Sequence, residues 1–159
     1  MKTPRLLAAA VAAAALLLAG CGNANTAAVV EGNRITESGV LAAAEQANTV
    51  ASQPMEPRQV LAQLIIQPTV LEVLAERGVT VTDAAARSVL SEVGDPAPYL
   101  LDIVKLNLGI NQLTEDERTE AIARIQDLDV EVNPRYGTFD PESGLITAAD
   151  ADWIADAGL

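Results

Sequence analysis

The sequence predicts a mostly α-helical domain of about five helices, with a small two-stranded sheet that joins the two ends of the domain. Three observations predict this class. Apolar residues recur at spacings of three and four over most of the chain, as in helices that bury one face. Glycines and prolines divide this pattern into separate helices. Short extended segments at 27–30 and 130–132 flank the helical region, and we expect them to pair with each other.

The domain begins with a predicted strand, turn and helix. Residues 27–30 have the composition of a strand, and residues 31–33 that of a tight turn. Ile35 then leads into a helix, for which either Thr36 or Ser38 can serve as the N-cap. Two prolines within residues 52–57 end it. The apolar positions expected on its buried face are Val40, Leu41, Ala44, Ala47 and Ala51.

The second predicted helix is the longest. Because Pro68 lacks an N–H group and crowds the preceding turn, we expect a kink there or two abutting helices. Gly78 is the expected C-terminal stop. Apolar positions three and four residues apart predict a buried stripe, which Ile65 and Leu74 widen; its members are Leu61, Leu64, Pro68, Leu71 and Ala75.

Three shorter helices follow. Thr82 or Asp83 caps the first, and residues 99–108 form the second, with Asp102 and Lys105 on one side and Gly109 as its stop. Thr114 and Glu117 fit a capping box at the start of the third, where Glu120 and Arg124 form an i,i+4 pair. Residues 129–133 alternate polar and apolar as a half-buried strand does, and Pro134 ends it. Expected buried residues in these helices are Val89, Leu90, Val93, Ile122, Ile125 and Leu128.

The first 21 residues have the pattern of an export signal. Lys2 and Arg5 precede an apolar run over residues 6–19, which is shorter than the roughly 20 residues that a membrane-spanning helix needs. The motif Leu18-Ala19-Gly20-Cys21 resembles the cleavage site of bacterial lipoproteins. The resemblance implies that residues 1–20 are removed. It also implies that the Cys21 thiol carries diacylglycerol and that fatty acyl groups such as palmitate anchor the chain to the extracytoplasmic face of the cell membrane.

The composition excludes several classes of partner and chemistry. After removal of residues 1–20 the chain has eight basic and 22 acidic residues, a formal net charge of −14, which argues against nucleic acid and against electrostatic binding to anionic lipid. The chain contains no histidine, and its single cysteine is Cys21, so disulfides and Ser-His or Cys-His nucleophiles are excluded. We therefore expect no enzyme activity, cofactor or metal. Catalysis by carboxylates alone stays a third alternative.

Three segments resemble the N-terminal chaperone domain of the SurA and PrsA family. They are residues 29–36, the helix segments 61–66 and 74–83, and residues 133–137, so the resemblance covers roughly 27–140. It implies a helical domain over 27–137, with 21–26 as a short lipid-anchored tether and 138–159 as a partly ordered acidic tail. Members of the family also carry a parvulin-type prolyl isomerase domain, for which we expect no room in this chain. The resemblance therefore implies a chaperone-like lipoprotein that binds unfolded or exported protein segments without isomerase activity. The alternative is a dedicated adaptor for one envelope protein.

Three candidate sites have a structural alternative. Arg135 and Tyr136 could contact a partner, or Arg135 could pair with an acidic neighbour while Tyr136 covers the sheet. Residues 140–144 with Asp150 resemble a calcium loop, but the glycine and the last acidic residue each come one position early. The stripe Leu61, Leu64, Ile65, Leu71 and Leu74 could line a groove for clients or belong to the core.

Overall fold

The computed structural model describes residues 24–51 and 53–148. Within these ranges the chain forms five helices and five short strands, so the mostly helical class is confirmed. The helices are α1 (Glu37–Val50), α2 (Pro57–Glu76), α3 (Asp83–Val89), α4 (Pro98–Ile110) and α5 (Glu115–Gln126). The strands are β1 (Thr26–Val30), β2 (Asn33–Thr36), β3 (Val130–Val132), β4 (Thr138–Asp140) and β5 (Leu145–Thr147).

The predicted pairing of the two ends of the domain is confirmed. β1 and β3 are antiparallel, with Ala28 opposite Val132 and Val30 opposite Val130. The sheet nevertheless has three strands, in the order β2-β1-β3, so the prediction of two strands was wrong. Glu31 and Gly32 have φ values of 49° and 76°. Positive φ at both central residues gives the turn that joins neighbouring hairpin strands directly, and residues 33–36 therefore pair with β1 before the helix begins.

Hydrogen bonds at both ends of the β1–β3 ladder reinforce it. The Glu31 N–H donates to the Asp129 carbonyl over 2.9 Å, and the Asp129 N–H donates to Glu31 Oε1 over 2.7 Å. At the other end the Asn133 N–H donates to the Ala27 carbonyl over 2.8 Å, and the Asn133 side chain donates to the Thr26 carbonyl over 3.0 Å. The first and last parts of the domain are thus held together over the length of the ladder.

The helix ends mostly follow the predicted signals. The side chains of Thr36, Thr82 and Thr114 each accept a hydrogen bond from a backbone N–H of the first turn, and Thr114 forms the predicted capping box with Glu117. After α2, Gly78 has φ 79° and the Val79 N–H donates to the Leu74 carbonyl over 3.0 Å, which ends the helix as predicted.

α2 is one continuous helix through Pro68, so the prediction of two abutting helices was wrong. Pro68 faces solvent, where water can satisfy the carbonyl that the proline leaves without a donor.

The buried face of α2 changes direction along the helix. Its first half buries Leu61, Leu64 and Ile65 as predicted. Its second half buries Leu74 as predicted, but Val70 and Val73 are buried there instead of Pro68 and Ala75. The first half packs into the core beneath the sheet, whereas Val70 and Val73 pack against α4 and α5.

Some predicted buried positions are exposed, and one predicted stop is not a stop. Leu41, Val89 and Ile122 are 46%, 60% and 47% exposed, because alanines such as Ala43, Ala86 and Ala121 face the core in their helices.

Gly109 lies inside α4 rather than ending it. A Cβ there would stand 3.0 Å from Leu71 Cδ2 and 3.1 Å from Leu74 Cδ1, so the glycine lets α4 approach α2 closely.

The first part of the segment assigned to a tail forms a hairpin. β4 and β5 pair antiparallel, with Phe139 opposite Ile146, and Ile146 is buried in the main core cluster. Gly137, with φ 113°, precedes the hairpin; a Cβ there would lie 1.8 Å from the Thr147 carbonyl oxygen, so no other residue fits. Residues 149–159 lie outside the described residues, as do Leu18, Ala19, Gly20 and Cys21, at which signal cleavage and lipidation are predicted.

Candidate functional site: a groove between α2 and the β4–β5 hairpin

A groove of about 400 Å³ lies between α2 and the β4–β5 hairpin. Three segments that are distant in sequence form its walls: the linker between α1 and α2, the first half of α2, and the turn between β4 and β5. The lining residues are Gln53, Pro54, Met55, Gln59, Ala62, Gln63, Ile66, Ser143, Gly144 and Leu145.

The linker wall is held by one asparagine of α1. The Asn48 side chain accepts a hydrogen bond from the Met55 N–H over 2.6 Å and donates one to the Met55 carbonyl over 3.1 Å. Asn48 thus satisfies both backbone groups of Met55, which fixes the linker against α1. The side chain of Met55 is packed partly against the core.

The hairpin wall is held by Asp140. Its carboxylate accepts hydrogen bonds from the Glu142 N–H over 3.0 Å and from the Ser143 hydroxyl over 2.6 Å, and its carbonyl accepts one from the Gly144 N–H over 2.8 Å. These bonds, the Ser143 bond first, lower the pKa of Asp140. The turn they stabilise places Leu145 at the groove with 59% of its surface exposed.

None of the lining residues is ionisable. Pro54, Met55, Ala62, Ile66 and Leu145 supply apolar surface, and three glutamines supply amide groups. One of them, Gln63, has a buried side-chain oxygen without a donor among the described residues. A groove of this kind suits an uncharged apolar segment. Gln59 Oε1 already accepts a hydrogen bond from the Glu56 N–H over 2.9 Å and Gln63 Oε1 is buried, so the remaining amide groups are those that can bind the backbone of a peptide.

The predicted contact residues Arg135 and Tyr136 lie elsewhere and take the structural alternative. Arg135 forms an ion pair with Glu37 at the start of α1, although 60% of its side chain stays exposed. Tyr136 is 9% exposed, and burial, assisted by the negative charge of Glu37, raises the pKa of its hydroxyl. The two residues border a separate shallow cavity of about 200 Å³ with Glu56, Pro57 and Arg58.

The other two candidate sites are occupied by structural contacts. Leu61, Leu64, Ile65 and Leu74 are buried in the core and cannot line a groove, while Leu71 packs beside Gly109. In the candidate calcium loop, Asp140 is engaged in the hairpin turn, and within the described ranges no three acidic, histidine or cysteine side chains converge as a metal would require. Asp150 lies outside the described residues.

The single lysine of the domain is tied to two carboxylates. Lys105 Nζ lies 2.7 Å from Asp102 and 2.9 Å from Asp83. Burial alone would lower the pKa of Lys105, but the hydrogen bonds to Asp102 and Asp83 outweigh it and raise that pKa. A lysine that stays protonated does not serve as a nucleophile or base.

The groove was missed in the sequence because it depends on tertiary placement. Two signals were present: Met55 between two prolines, and the β-branched residues Ile146 and Thr147 shortly after Gly144 in a segment assigned to the tail. No helix of the described part of the chain is long and apolar enough to cross a bilayer. Comparisons with protein-family models, curated proteins and solved structures find no match to this chain.

Proposed function

We propose that this chain is a lipid-anchored, extracytoplasmic protein-binding lipoprotein of chaperone-like type, which binds apolar segments of unfolded or exported proteins and has no isomerase activity. The uncharged groove between α2 and the β4–β5 hairpin carries the proposal. Its exposed Leu145, its half-buried Met55 and Ile66, and its glutamine amides offer a client both apolar surface and hydrogen bonds. A bound segment would need no charge of its own.

The cellular location of the protein is part of the proposal. Cleavage after Gly20 and lipidation of Cys21 would leave only residues 21–25 between the membrane and β1, a reach of at most about 17 Å. The groove would then work close to the membrane surface, where exported chains emerge. With a net charge of −14 after cleavage, attachment to anionic lipid would depend on the acyl chains, and nucleic acid is not an expected partner.

A non-enzymatic role is proposed on the chemistry of the side chains. The chain has no histidine, Lys105 is held protonated by two carboxylates, and the groove carries no ionisable group to act as acid or base. The resemblance to the SurA and PrsA family supports the chaperone-like assignment through the helical module, which is the part of those proteins that residues 27–140 resemble.

A dedicated adaptor for one envelope protein is the second candidate. The observation that favours it is the isolation of the other exposed large apolar residues. Leu41, Val50, Val89 and Ile122 are spread over α1, α3 and α5, so they do not extend the groove into a broad apolar surface. Binding of many unrelated clients is usually associated with larger, methionine-rich surfaces.

Crosslinking in intact cells tests the proposal. Leu145→Asp places a charge in the groove, whereas Val89→Asp is a matched control, because Val89 is 60% exposed and Leu145 is 59% exposed. We expect the native chain and the Val89 variant to capture many newly exported proteins and the Leu145 variant to capture severalfold fewer. One stoichiometric partner, lost in the Leu145 variant, would establish the adaptor instead. Equal capture by all three chains would contradict both roles for the groove.

A further inference from the structure

β3 is an edge strand of the three-stranded sheet, and its outer edge has no partner strand among the described residues. On its other edge β3 pairs with β1, where Glu131 stands opposite Val29 and the Asn133 N–H donates to the Ala27 carbonyl over 2.8 Å. Backbone groups of alternate residues in an antiparallel strand point to opposite edges. The N–H and C=O groups of Val130 and Val132 therefore point away from β1, and such a row is a template for another extended segment.

A cavity of about 220 Å³ adjoins this edge. Its walls come from β3, from the turn that follows it and from β4, and the lining residues are Val130, Val132, Pro134, Gly137, Thr138 and Phe139. None of these side chains is charged. An extended segment added at the edge would thus gain both backbone hydrogen bonds and an apolar pocket for one of its side chains.

The described chain ends beside this cavity. A Cβ built on Gly137, which lines the cavity, would lie 1.8 Å from the carbonyl oxygen of Thr147 and 3.2 Å from the Cα of Ala148. The segment that begins at residue 149 therefore starts at the rim. Trp153 lies five positions after Ala148, a reach of at most about 17 Å for an extended chain.

The sequence of residues 149–159 has the period of a strand. The odd positions are all apolar: Ala149, Ala151, Trp153, Ala155, Ala157 and Leu159. Asp150, Asp152 and Asp156 occupy three of the even positions. Alternation at period two places the odd side chains on one face of an extended segment and the aspartates on the other. Trp153 is the only large side chain near the middle of the apolar face, with alanines on both sides.

We propose that residues 149–159 add to the free edge of β3 as a fourth strand of the sheet, with the indole of Trp153 in the cavity beside Val130, Val132 and Phe139. The aspartates then face away from the cavity. The occupant is the chain's own C-terminal segment, which would close an edge otherwise open to pairing between molecules. This inference does not depend on the proposed function, because the groove and this cavity share no residue.

Fluorescence tests the docking directly, because Trp153 is the only tryptophan of the full chain. We expect its emission at shorter wavelength than in the same chain unfolded in denaturant, and severalfold weaker quenching by acrylamide. Val132→Pro removes an N–H that the added strand would use and that the β1–β3 ladder does not; proline is tolerated at such edge positions. Quenching should rise severalfold in this variant. In Glu131→Ala, whose side chain lies on the other face, it should not rise.

Hydrogen exchange provides a second readout that does not require a proline in β3. In the full chain the Val130 and Val132 amides should exchange slowly. Trp153→Asp should accelerate them severalfold, whereas Ile154→Asp, on the opposite face of the segment, should leave them protected. Equal quenching of Trp153 in the native and unfolded chain, or equal exchange in both Asp variants, would overturn the proposal. Protection that grows with protein concentration would mean that a second copy occupies the edge, and would also overturn it.

Discussion

The ring of Tyr99 lies directly against the backbone of α1 at Gly39. A Cβ on Gly39 would stand 2.5 Å from Tyr99 Cε2 and 2.7 Å from Cδ2, both too close for any side chain. The ring cannot simply swing away, because the Tyr99 hydroxyl accepts a hydrogen bond from the Thr36 N–H over 3.1 Å. This contact joins the first turns of α1 and α4, so the absence of a side chain at residue 39 determines how the two helices meet.

Gly39→Ala should therefore destabilise the fold although alanine is the better helix former. Overpacking costs about 1–3 kcal/mol, against a gain in helix propensity of about 1 kcal/mol. We expect a net loss of up to about 2 kcal/mol in the free energy of unfolding, measured by chemical denaturation. Gly94→Ala is the control, because nothing lies within 4 Å of a Cβ at that position.

The same substitution can be made in a chain without the ring. In the Tyr99→Leu background, Gly39→Ala should cost less than in the native chain, because the two ring atoms that it meets are gone and only Thr36 Oγ1, at 2.9 Å, stays close. An equal cost in both backgrounds would show that the Tyr99 ring is not the reason for the glycine.

At the scale of the elements, charged pairs fasten the last helix, α5, to the long helix α2. Arg124 of α5 binds the Glu76 carboxylate at the end of α2 through two hydrogen bonds of 2.8 Å. Arg77, just after α2, lies 2.8 Å from Glu117 at the start of α5. The Arg124 hydrogen bonds lower the pKa of Glu76, and the Thr114 N–H chiefly lowers that of Glu117. Both pairs thus connect the C-terminal end of α2 to α5.

Acid should weaken these connections. The pKa of Glu76 in the fold lies below its ordinary value of 4.5, so its contribution is complete above that value and is lost as the pH falls through the lowered pKa. We expect the thermal midpoint to fall as the pH is lowered from about 6 to about 3, and to fall less in Glu76→Gln. Glu72→Gln, an exposed residue of the same helix for which the described structure shows no ion pair, removes the same charge and should behave as the native chain does. Identical pH profiles for both variants would exclude the pair as the cause.

What the sequence could predict at this scale was local. The capping box of Thr114 and Glu117, the stop at Gly78 and the pairing of Glu120 with Arg124, at 2.6 Å, depend on residues within a few positions of each other. The burial of Leu41, Val89 and Ile122 was mispredicted, because a helix with two partly apolar faces buries the one that its neighbours cover. The groove could not be predicted, because its walls come from the linker, α2 and the hairpin.

At the scale of the whole molecule, the β1–β3 ladder makes the fold depend on residues near both of its ends. A chain that stops after Asp129 loses β3, β4 and β5, and with them the strand that pairs with β1 and the buried residues Tyr136 and Ile146. We expect this truncated chain to lose cooperative thermal unfolding, followed by circular dichroism. A chain that stops after Ala148 retains the ladder and the hairpin and should unfold cooperatively. A fully helical, cooperative product of the shorter truncation would refute the dependence on the ladder.

The position of β1 in the sheet also determines how the domain would bear a mechanical load. β1 begins at Thr26, a short distance along the chain from Cys21, and it is the middle strand, with β2 on one side and β3 on the other. A pull applied at residue 21, as drag on a tethered client would produce, runs along β1 and shears both ladders together. The tension would divide between α1, which follows β2, and α5, which precedes β3. Under the proposed anchoring at Cys21, β1 and its two ladders would then be the part of the domain that unfolds last under load.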